Sequence, residues 1–274
     1  MEKVAVIILN RNMPGATDKL YNHIKKYNKK FADLFVVDSG SIKSKISKFT
    51  TWKADWSDAR KKGLRFPRGM NFGLSKLWQE KKFQNYAAFL LVSNDTVFQN
   101  TNFIEKLLRI MRKHKKLGIL TPCSKFWDEK KLLKKEKTKY FWFIHNNCYF
   151  LRKEFILDIM NEQKPNYMNF IFDGTNFRGF GSDLELTAKA YINDWAVGIT
   201  SEVWSEENES YLKKYYKEIK TEDFSSNLKL WIDEGNKWMK NKYGFRTRWA
   251  MNLYVKLLYD KFFELNKDLN KYKI

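Results

Sequence analysis

Apolar residues in this chain gather into short unbroken runs that stop at polar clusters, and between the runs they recur at helical spacing. Residues 4–10 (VAVIILN) break at RNMPG, where Pro14 and Gly15 mark a loop. Residues 33–38 (DLFVVD) stop at Ser39, Gly40 and Ser41, and residues 86–93 end at Ser93, with Asn94 and Asp95 following. Runs of this length without polar alternation predict strands buried on both faces of a mainly parallel sheet. Between them, Leu20, Ile24 and Tyr27 predict a helix running to about Lys30 with Thr17 or Asp18 as its cap. Met70, Leu74, Leu77 and Trp78 predict a second over 69–82. Asn102 is expected to cap a third that carries Phe103, Leu107, Ile110 and Met111 on one face, with Glu105 near its positive end. Short strands are expected at 49–52 and 118–121.

This alternation of strand and helix predicts an α/β fold with right-handed β-α-β crossovers. Beyond residue 122 the rhythm changes. Residues 126–139 read as a charged loop or frayed helix, and 140–152 (YFWFIHNNCYFLR) as aromatic β structure broken at Asn146 and Asn147. A helix over 154–162, an irregular stretch over 164–181, a helix over 182–193 and a strand over 195–200 follow. Residues 209–274 are helical by pattern, interrupted at Tyr243, Gly244 and Phe245. His145 reads as structural, and His23 and His114 as surface helix positions.

Composition adds a charge of +21, which fits nucleic acid, an anionic membrane surface or phosphorylated substrates as partners. A solvated lysine surface from AT-rich codon usage accounts for it equally well. The 17% aromatic content is spread along the chain and not confined to a basic stripe on which bases stack, which disfavours nucleic acid. No run is apolar for long enough to span a bilayer and no basic-then-apolar leader precedes residue 4, so a soluble, cytoplasmic protein is expected. Cys123 and Cys148 are too few for a disulfide framework, and buried, reduced thiols are expected.

Four polar clusters carry candidate chemistry: Asn10 with Arg11, 38–41, 93–95 and 182–185. The first three follow apolar runs, and ligands of open α/β sheets collect beyond the carboxyl ends of the strands. An aspartate there serves as a turn or cap, or as a ligand. In the ligand reading, Asp38 accepts hydrogen bonds from a base or ribose, and Asp95 faces a diphosphate through Mg2+ or Mn2+, ions that need only one or two carboxylates plus substrate phosphates.

The segments VAVIILNRN, VVDSGS, RFPRGMNFG, LLVSNDTVF, NNCYFLRKE and GFGSDLELTAKAYINDWAVGI occur in the order and rough spacing of the inverting family 2 glycosyltransferases of bacterial surface polysaccharides. The chain resembles that family over roughly residues 3 to 205. The resemblance implies a GT-A fold, Rossmann-like, with a mainly parallel central sheet flanked by helices and a C-terminal helical extension. The catalytic domain is then 1–205, with a nucleotide half to about 122 and an acceptor half over 123–205, and the extension is 206–274. VVDSGS resembles the nucleotide-binding VVDDGS, with Asp38 kept and Ser39 replacing the second aspartate. Asn71 and Gly73 fall on the N-x-G of a glycine-rich donor loop, where Arg65 and Pro67 stand in for smaller residues. Ser93 to Asp95 resembles the metal-binding D-x-D element with its last aspartate kept. SDLEL resembles EDVDL, which puts Asp183 on the catalytic base.

The resemblance thus implies that Asn10, Arg11, Asp38, Asn71 and Asn94 hold a nucleotide-sugar donor, a UDP- or dTDP-sugar, and that Asp95 holds Mg2+ or Mn2+. Glu185 and Asn147 then contact the acceptor or brace the site. A histidine that many members place after the final strand as a metal ligand is absent, leaving Glu206 or Glu207 as substitutes. The activity implied is inverting transfer of a sugar to a hydroxyl of a glycan or lipid-linked glycan. A polyanion- or RNA-binding protein and a sugar nucleotidyltransferase are the alternatives, although the glycine-rich basic loop of the latter is not visible in RNMPGATDK. The C-terminal segment NKYGFRTR resembles a K-x-G element that follows the catalytic domain in some of these enzymes. Its helices, rich in Trp231, Trp238, Trp249 and lysines, serve as core contacts, a surface for an anionic membrane at its inner face, or a homo-oligomer interface.

Overall fold

Strand β1 (Val4–Asn10) is the spine of the first half. It pairs in parallel with β2 (Ala32–Asp38) on one side and β4 (Ala88–Ser93) on the other, and β3 (Thr50–Lys53) extends the sheet beyond β2. Past β4 the order continues with β8 (Cys148–Arg152), β6 (Leu117–Cys123), β9 (Ala196–Glu207) and β5 (Thr96–Phe98), with β7 (Thr138–Tyr140) also paired to β9. The computed structural model describes residues 2–124, 129–133, 136–144, 148–160, 165–208 and 210–274. Among these, β1 to β4, β6 and β9 run one way, while β5, β7 and β8 oppose them. The expected α/β architecture, a mainly parallel sheet flanked by helices, is therefore the observed one. The break in the aromatic stretch at Asn146 and Asn147, together with His145, lies outside the described residues.

Helices α1 (Pro14–Asn28) and α3 (Arg65–Gln79) both pack on β1. Helix α1 begins earlier than its expected cap at Thr17 or Asp18, because Pro14 lacks an N–H and has φ preset for the first helical turn. Thr17 lies inside that turn and donates its hydroxyl to Asn10 Oδ1 at 2.9 Å. Two short helical pieces, α2 (Ser57–Lys62) and the start of α3, replace the expected glycine-rich loop. Gly69 and Gly73 serve packing there: a Cβ on Gly69 would lie 2.4 Å from Leu9 Cδ1, and one on Gly73 2.7 Å from Ile7 Cγ2. One turn apart, they form the strip along which α3 lies against β1.

Helix α4 (Phe103–Lys113) is capped as expected, Asn102 accepting from the Glu105 N–H. Helices α5 (Glu129–Leu132) and α6 (Lys153–Ile159) are short, and α7 (Ser182–Ile192) leads into β9, which runs to Glu207 and so past residue 205. The chain closes with α8 (Ser210–Ile219), α9 (Phe224–Tyr243) and α10 (Arg248–Leu265), with left-handed Gly244 ending α9 in the anticipated break. The last of these helices is built into the core: Tyr259 and Phe263 of α10 are buried in the cluster that contains β1. Tyr259 donates to Tyr140 O and accepts from the Ile274 N–H. Trp249, Leu253 and Leu257 leave an apolar stripe of α10 exposed. Among the described residues, no helix is long and apolar enough to cross a membrane. Both cysteines are free and buried, and burial pushes the Cys148 thiol up to about 12.

His114 is not a surface residue. It follows α4 in the core, its Nδ1 3.1 Å from Tyr140 Oη and its ring 4.5 Å from that of Tyr272. Burial, with the charge of Lys113, pulls its pKa down to about 4. The folded protein holds the ring neutral while the unfolded chain takes up a proton nearer 6.5, so this stability is full above that pH and is lost as pH falls towards 4. Urea unfolding is expected to lose about 2–3 kcal/mol of stability between pH 7 and 4.5 from this residue, and His114→Phe to flatten that part of the profile. Gly69→Ala, which drives a methyl into Leu9, is expected to cost about 1–3 kcal/mol in the same measurement.

Candidate functional site

The parallel ladders set Asn10 beside Asp38 and Leu9 beside Ser93, so the three strands end at one level and their polar clusters converge. Asp38 is fully engaged: Oδ2 accepts from Asn10 Nδ2 at 2.9 Å and Oδ1 from the Ser41 N–H at 2.9 Å. Arg11 spreads its guanidinium over carbonyls, donating to Ser39 O and Gly40 O at 2.6 Å each and to Ala59 O at 2.8 Å, at the carboxyl end of α2. Burial lowers its pKa, partly offset by Asp38. Ser39 Oγ accepts from the Leu64 N–H at 2.5 Å. These groups hold the loops after β1 and β2 to the segment entering α3.

Above them lies a cleft of about 420 Å³. Arg11, Asn94 and Asp95 are among its walls; Asn10, Asp38 and Asn71 are not. Asn10 and Asp38, expected at the donor, are spent on each other and on the loops. Asn71, expected there too, points the other way: it is fully buried, donates to Phe172 O at 2.8 Å and accepts from the Ile171 and Phe172 N–H groups. Its carboxamide clamps α3 to the irregular segment before α7, because a buried amide must satisfy both ends. Asn94 Nδ2 donates to Thr17 Oγ1 at 3.0 Å.

Asp95 is the exception to this satisfaction. Its Oδ1 is buried without a hydrogen-bond partner, and burial raises its pKa to about 6 against the opposing pull of its own backbone N–H and the Ser93 hydroxyl. Antiparallel pairing sets Thr96 beside Glu207, and Glu207 shares the cleft with Asp95. Glu206 accepts from Ser124 Oγ at 2.7 Å instead. Among the described residues, no group of three or more His, Cys, Asp or Glu side chains is assembled to hold a metal. An orphaned carboxylate oxygen with one further acid nearby fits a Mg2+ or Mn2+ ion that keeps waters and takes phosphate oxygens.

The cleft continues, past the shared residues Phe66, Ser93, Arg178, Glu207 and Trp231, into a second hollow that contains Asp183. Asp183 is the second residue of α7, which follows left-handed Gly179 and Gly181. Arg248, the first residue of α10, grips it with both fork nitrogens, Nη1 donating to Oδ1 at 2.9 Å and Nη2 to Oδ2 at 2.5 Å. Glu185 is buried and faces away from both hollows, accepting from Tyr243 Oη at 2.5 Å and Lys242 Nζ at 2.8 Å. Both acids of α7 are thus met by the segment NKYGFRTR, residues 241–248. Asn147 lies outside the described residues.

Sequence reasoning missed the basic side chains Arg65, Arg178 and Arg248 and the roof contributed by Phe224 and Trp231. Arg65 was visible as a departure from the glycine-rich pattern and Arg248 as the last residue of the K-x-G-like segment; Arg178 sits in no motif.

No protein-family profile and no curated protein matches the chain. Among solved structures, it is similar to the mannosyltransferase PcManGT from Pyrobaculum calidifontis in complex with GDP-Man and Mn2+, at 10% identity and a TM-score of 0.49 over 73% of this chain and 54% of that one. This chain therefore spans about half of that protein's length. It is also similar to S. aureus TarS 1-349, at 13% identity and a TM-score of 0.49 over 88% of this chain and 72% of that one. TarS 1-349 in complex with UDP-GlcNAc has a TM-score of 0.46 at 13% identity, over 87% of this chain and 73% of that one.

Because burial disfavours the Asp95 carboxylate, its cost is absent below pH 3.8 and complete above about pH 6. Asp95→Asn is expected to raise stability at pH 7.5 by about 1–3 kcal/mol, to lose that gain by pH 4, and to abolish any rise in melting temperature on adding Mn2+ with UDP. Thermal unfolding at the two pH values, with and without these additions, measures all three.

Proposed function

We propose that the chain is an inverting glycosyltransferase of GT-A type that takes a sugar from a UDP- or dTDP-sugar and transfers it to a hydroxyl of a glycan or lipid-linked glycan. The observation that carries this reading is that Asp95 and Asp183, 88 residues apart in sequence, open onto one continuous cleft beyond the carboxyl ends of β1 and β4, with Phe66, Ser93 and Trp231 joining its two parts. A donor and an acceptor need such adjoining subsites. In this reading residues 1–205 are the catalytic domain, with its nucleotide half to about 122 and its acceptor half over 123–205, and the helices of 206–274 roof the cleft.

Asp183 is the base. Its carboxylate takes the proton of the acceptor hydroxyl as that oxygen attacks the anomeric carbon, on the side opposite the departing diphosphate, which inverts the configuration. Arg248 fixes the carboxylate plane, and Glu185, tied to Lys242 and Tyr243, braces the helix that presents it. Asn10, Asp38 and Arg11 shape the floor under the nucleotide, and Asn94 stands at its edge. Asn71 supports from behind. Asp95, with Glu207 beside it, would hold Mg2+ or Mn2+, which when bound neutralises charge on the leaving diphosphate.

Screening transfer and hydrolysis across a panel of nucleotide sugars tests the activity; no turnover of any donor by the folded protein would overturn it. With the productive donor, Asp183→Asn is expected to lower kcat at least about 100-fold while donor affinity stays within about twofold. Unchanged turnover would remove Asp183 from its role.

A further inference from the structure

Two guanidinium groups meet on the wall of the cleft that also carries Asn94 and Asp95: Arg65, a departure from the glycine-rich pattern, and Arg178, which sits in no motif. Arg65 opens α3 with a left-handed backbone, φ 55°, a conformation a residue with a Cβ adopts at a cost. Arg178 stands on the segment before α7, its side chain only 7% exposed. Both lie over the ring of Phe177, each with its Cζ 5.7 Å from the centroid. The Nε of each is buried with no hydrogen-bond partner. Two like charges held this close, with donors unspent, form a site for an anion with several oxygens; the proximity of Arg178, after burial, lowers the pKa of Arg65.

One carboxylate fills that site from within. Glu222 lies in the short link between α8 and α9 and gives one oxygen to each arginine: Oε1 accepts from Arg178 Nη2 at 2.6 Å and Oε2 from Arg65 Nη2 at 3.2 Å. Non-bridging phosphate oxygens would make the same two contacts. The glutamate side chain is 37% exposed on a link of four residues, where it also accepts from Thr221 Oγ1, whereas Arg178 is held in the interior and also donates to Glu234. The arginines are the fixed half of this pairing and the glutamate the exchangeable half.

We propose that Arg65 and Arg178 are the binding pair for the diphosphate of a nucleoside diphosphate donor, and that Glu222 is a built-in anion that occupies the pair until the donor displaces it. The inference rests on the nucleotide-sugar reading of the cleft and adds the groups that receive the diphosphate. Leaving-group charge would then be met by two guanidinium groups in addition to a divalent cation that the single retained acid of the D-x-D-like element would hold.

Calorimetric titration of the folded protein with UDP, GDP and dTDP, and with the matching nucleoside, in EDTA and in Mn2+, tests it. Arg65→Gln is expected to weaken the preferred nucleoside diphosphate at least about tenfold while the nucleoside binds as before, with Arg65→Lys intermediate. Glu222→Gln, which removes the competing charge from a half-exposed position without touching the arginines, is expected to tighten the diphosphate about 3- to 10-fold and leave the nucleoside unchanged. Wild-type binding that neither Arg65→Gln nor Glu222→Gln alters by more than twofold would overturn the inference and leave the nucleotide-sugar reading standing. Equal weakening of nucleoside and diphosphate by Arg65→Gln would also overturn it. Failure of the wild-type protein to bind any of the three diphosphates would overturn the inference and the reading together.

Discussion

The closeness of α3 to β1 is the constraint on which the rest of the molecule depends. With no side chain on Gly69 or Gly73, the helix backbone settles against Ile7 and Leu9 at distances that a single methyl would obstruct. That contact sets the helix axis, and the axis decides where its residues go. Asn71 turns into the protein and takes the backbone of 171–172, which in turn leads to Gly179 and the start of α7. Arg65 and Phe66, at the amino end, reach the cleft. A fully satisfied buried amide is rigid, so α7 and the strand ends are held in one frame.

Charge is distributed unequally between surface and interior. The chain carries a net +21, and many lysines stay at the surface in exposed ion pairs such as Lys62 with Asp58 and Lys261 with Glu264. Pairs of that kind contribute little to stability. The arginines do different work. Arg11 gathers loop carbonyls, Arg178 joins Glu222 and Glu234, and Arg248 grips Asp183. A planar fork with several donors can satisfy fixed acceptors that a lysine ammonium would leave partly unmet. The C-terminal helices are thereby fastened to the cleft at its most polar points, and the apolar contacts of Tyr259 and Phe263 fasten them elsewhere.

Asp95 differs from the other acids of the site because it is buried with one carboxylate oxygen left without a partner. Asp38 is satisfied by hydrogen bonds and Asp183 by an ion pair, while Asp95 keeps an oxygen with no partner. Leaving a carboxylate in that state is unfavourable, and a cation or a proton relieves it. The protein's folding energy thus already contains a preference for something positive at the end of β4.

The strands of the first half, the polar ends of β1, β2 and β4, the Asn102 cap and the helical character of the C-terminal region were legible in the sequence, because each is a local pattern: apolar runs buried on both faces, a polar stop, a side chain three residues from the amide it caps; the short β5 and β7 and the extension of β9 to Glu207 were not. The gathering of the first three polar clusters followed from parallel pairing alone. Helical spacing placed a helix over 69–82, while the family resemblance read its glycines as a donor loop; only the neighbouring strand reveals that a missing Cβ there makes room for packing. The resemblance also placed Asn71 at the donor, and the local pattern took the buried His114 for a surface residue. What tertiary structure alone decided is which charges face the cleft: Arg65 meets Thr221 across 156 residues, Arg11 reaches Ile219 O across 208, and Arg248 holds Asp183 across 65. Local periodicity records which face of an element is buried, and it holds no information about the partner that waits there.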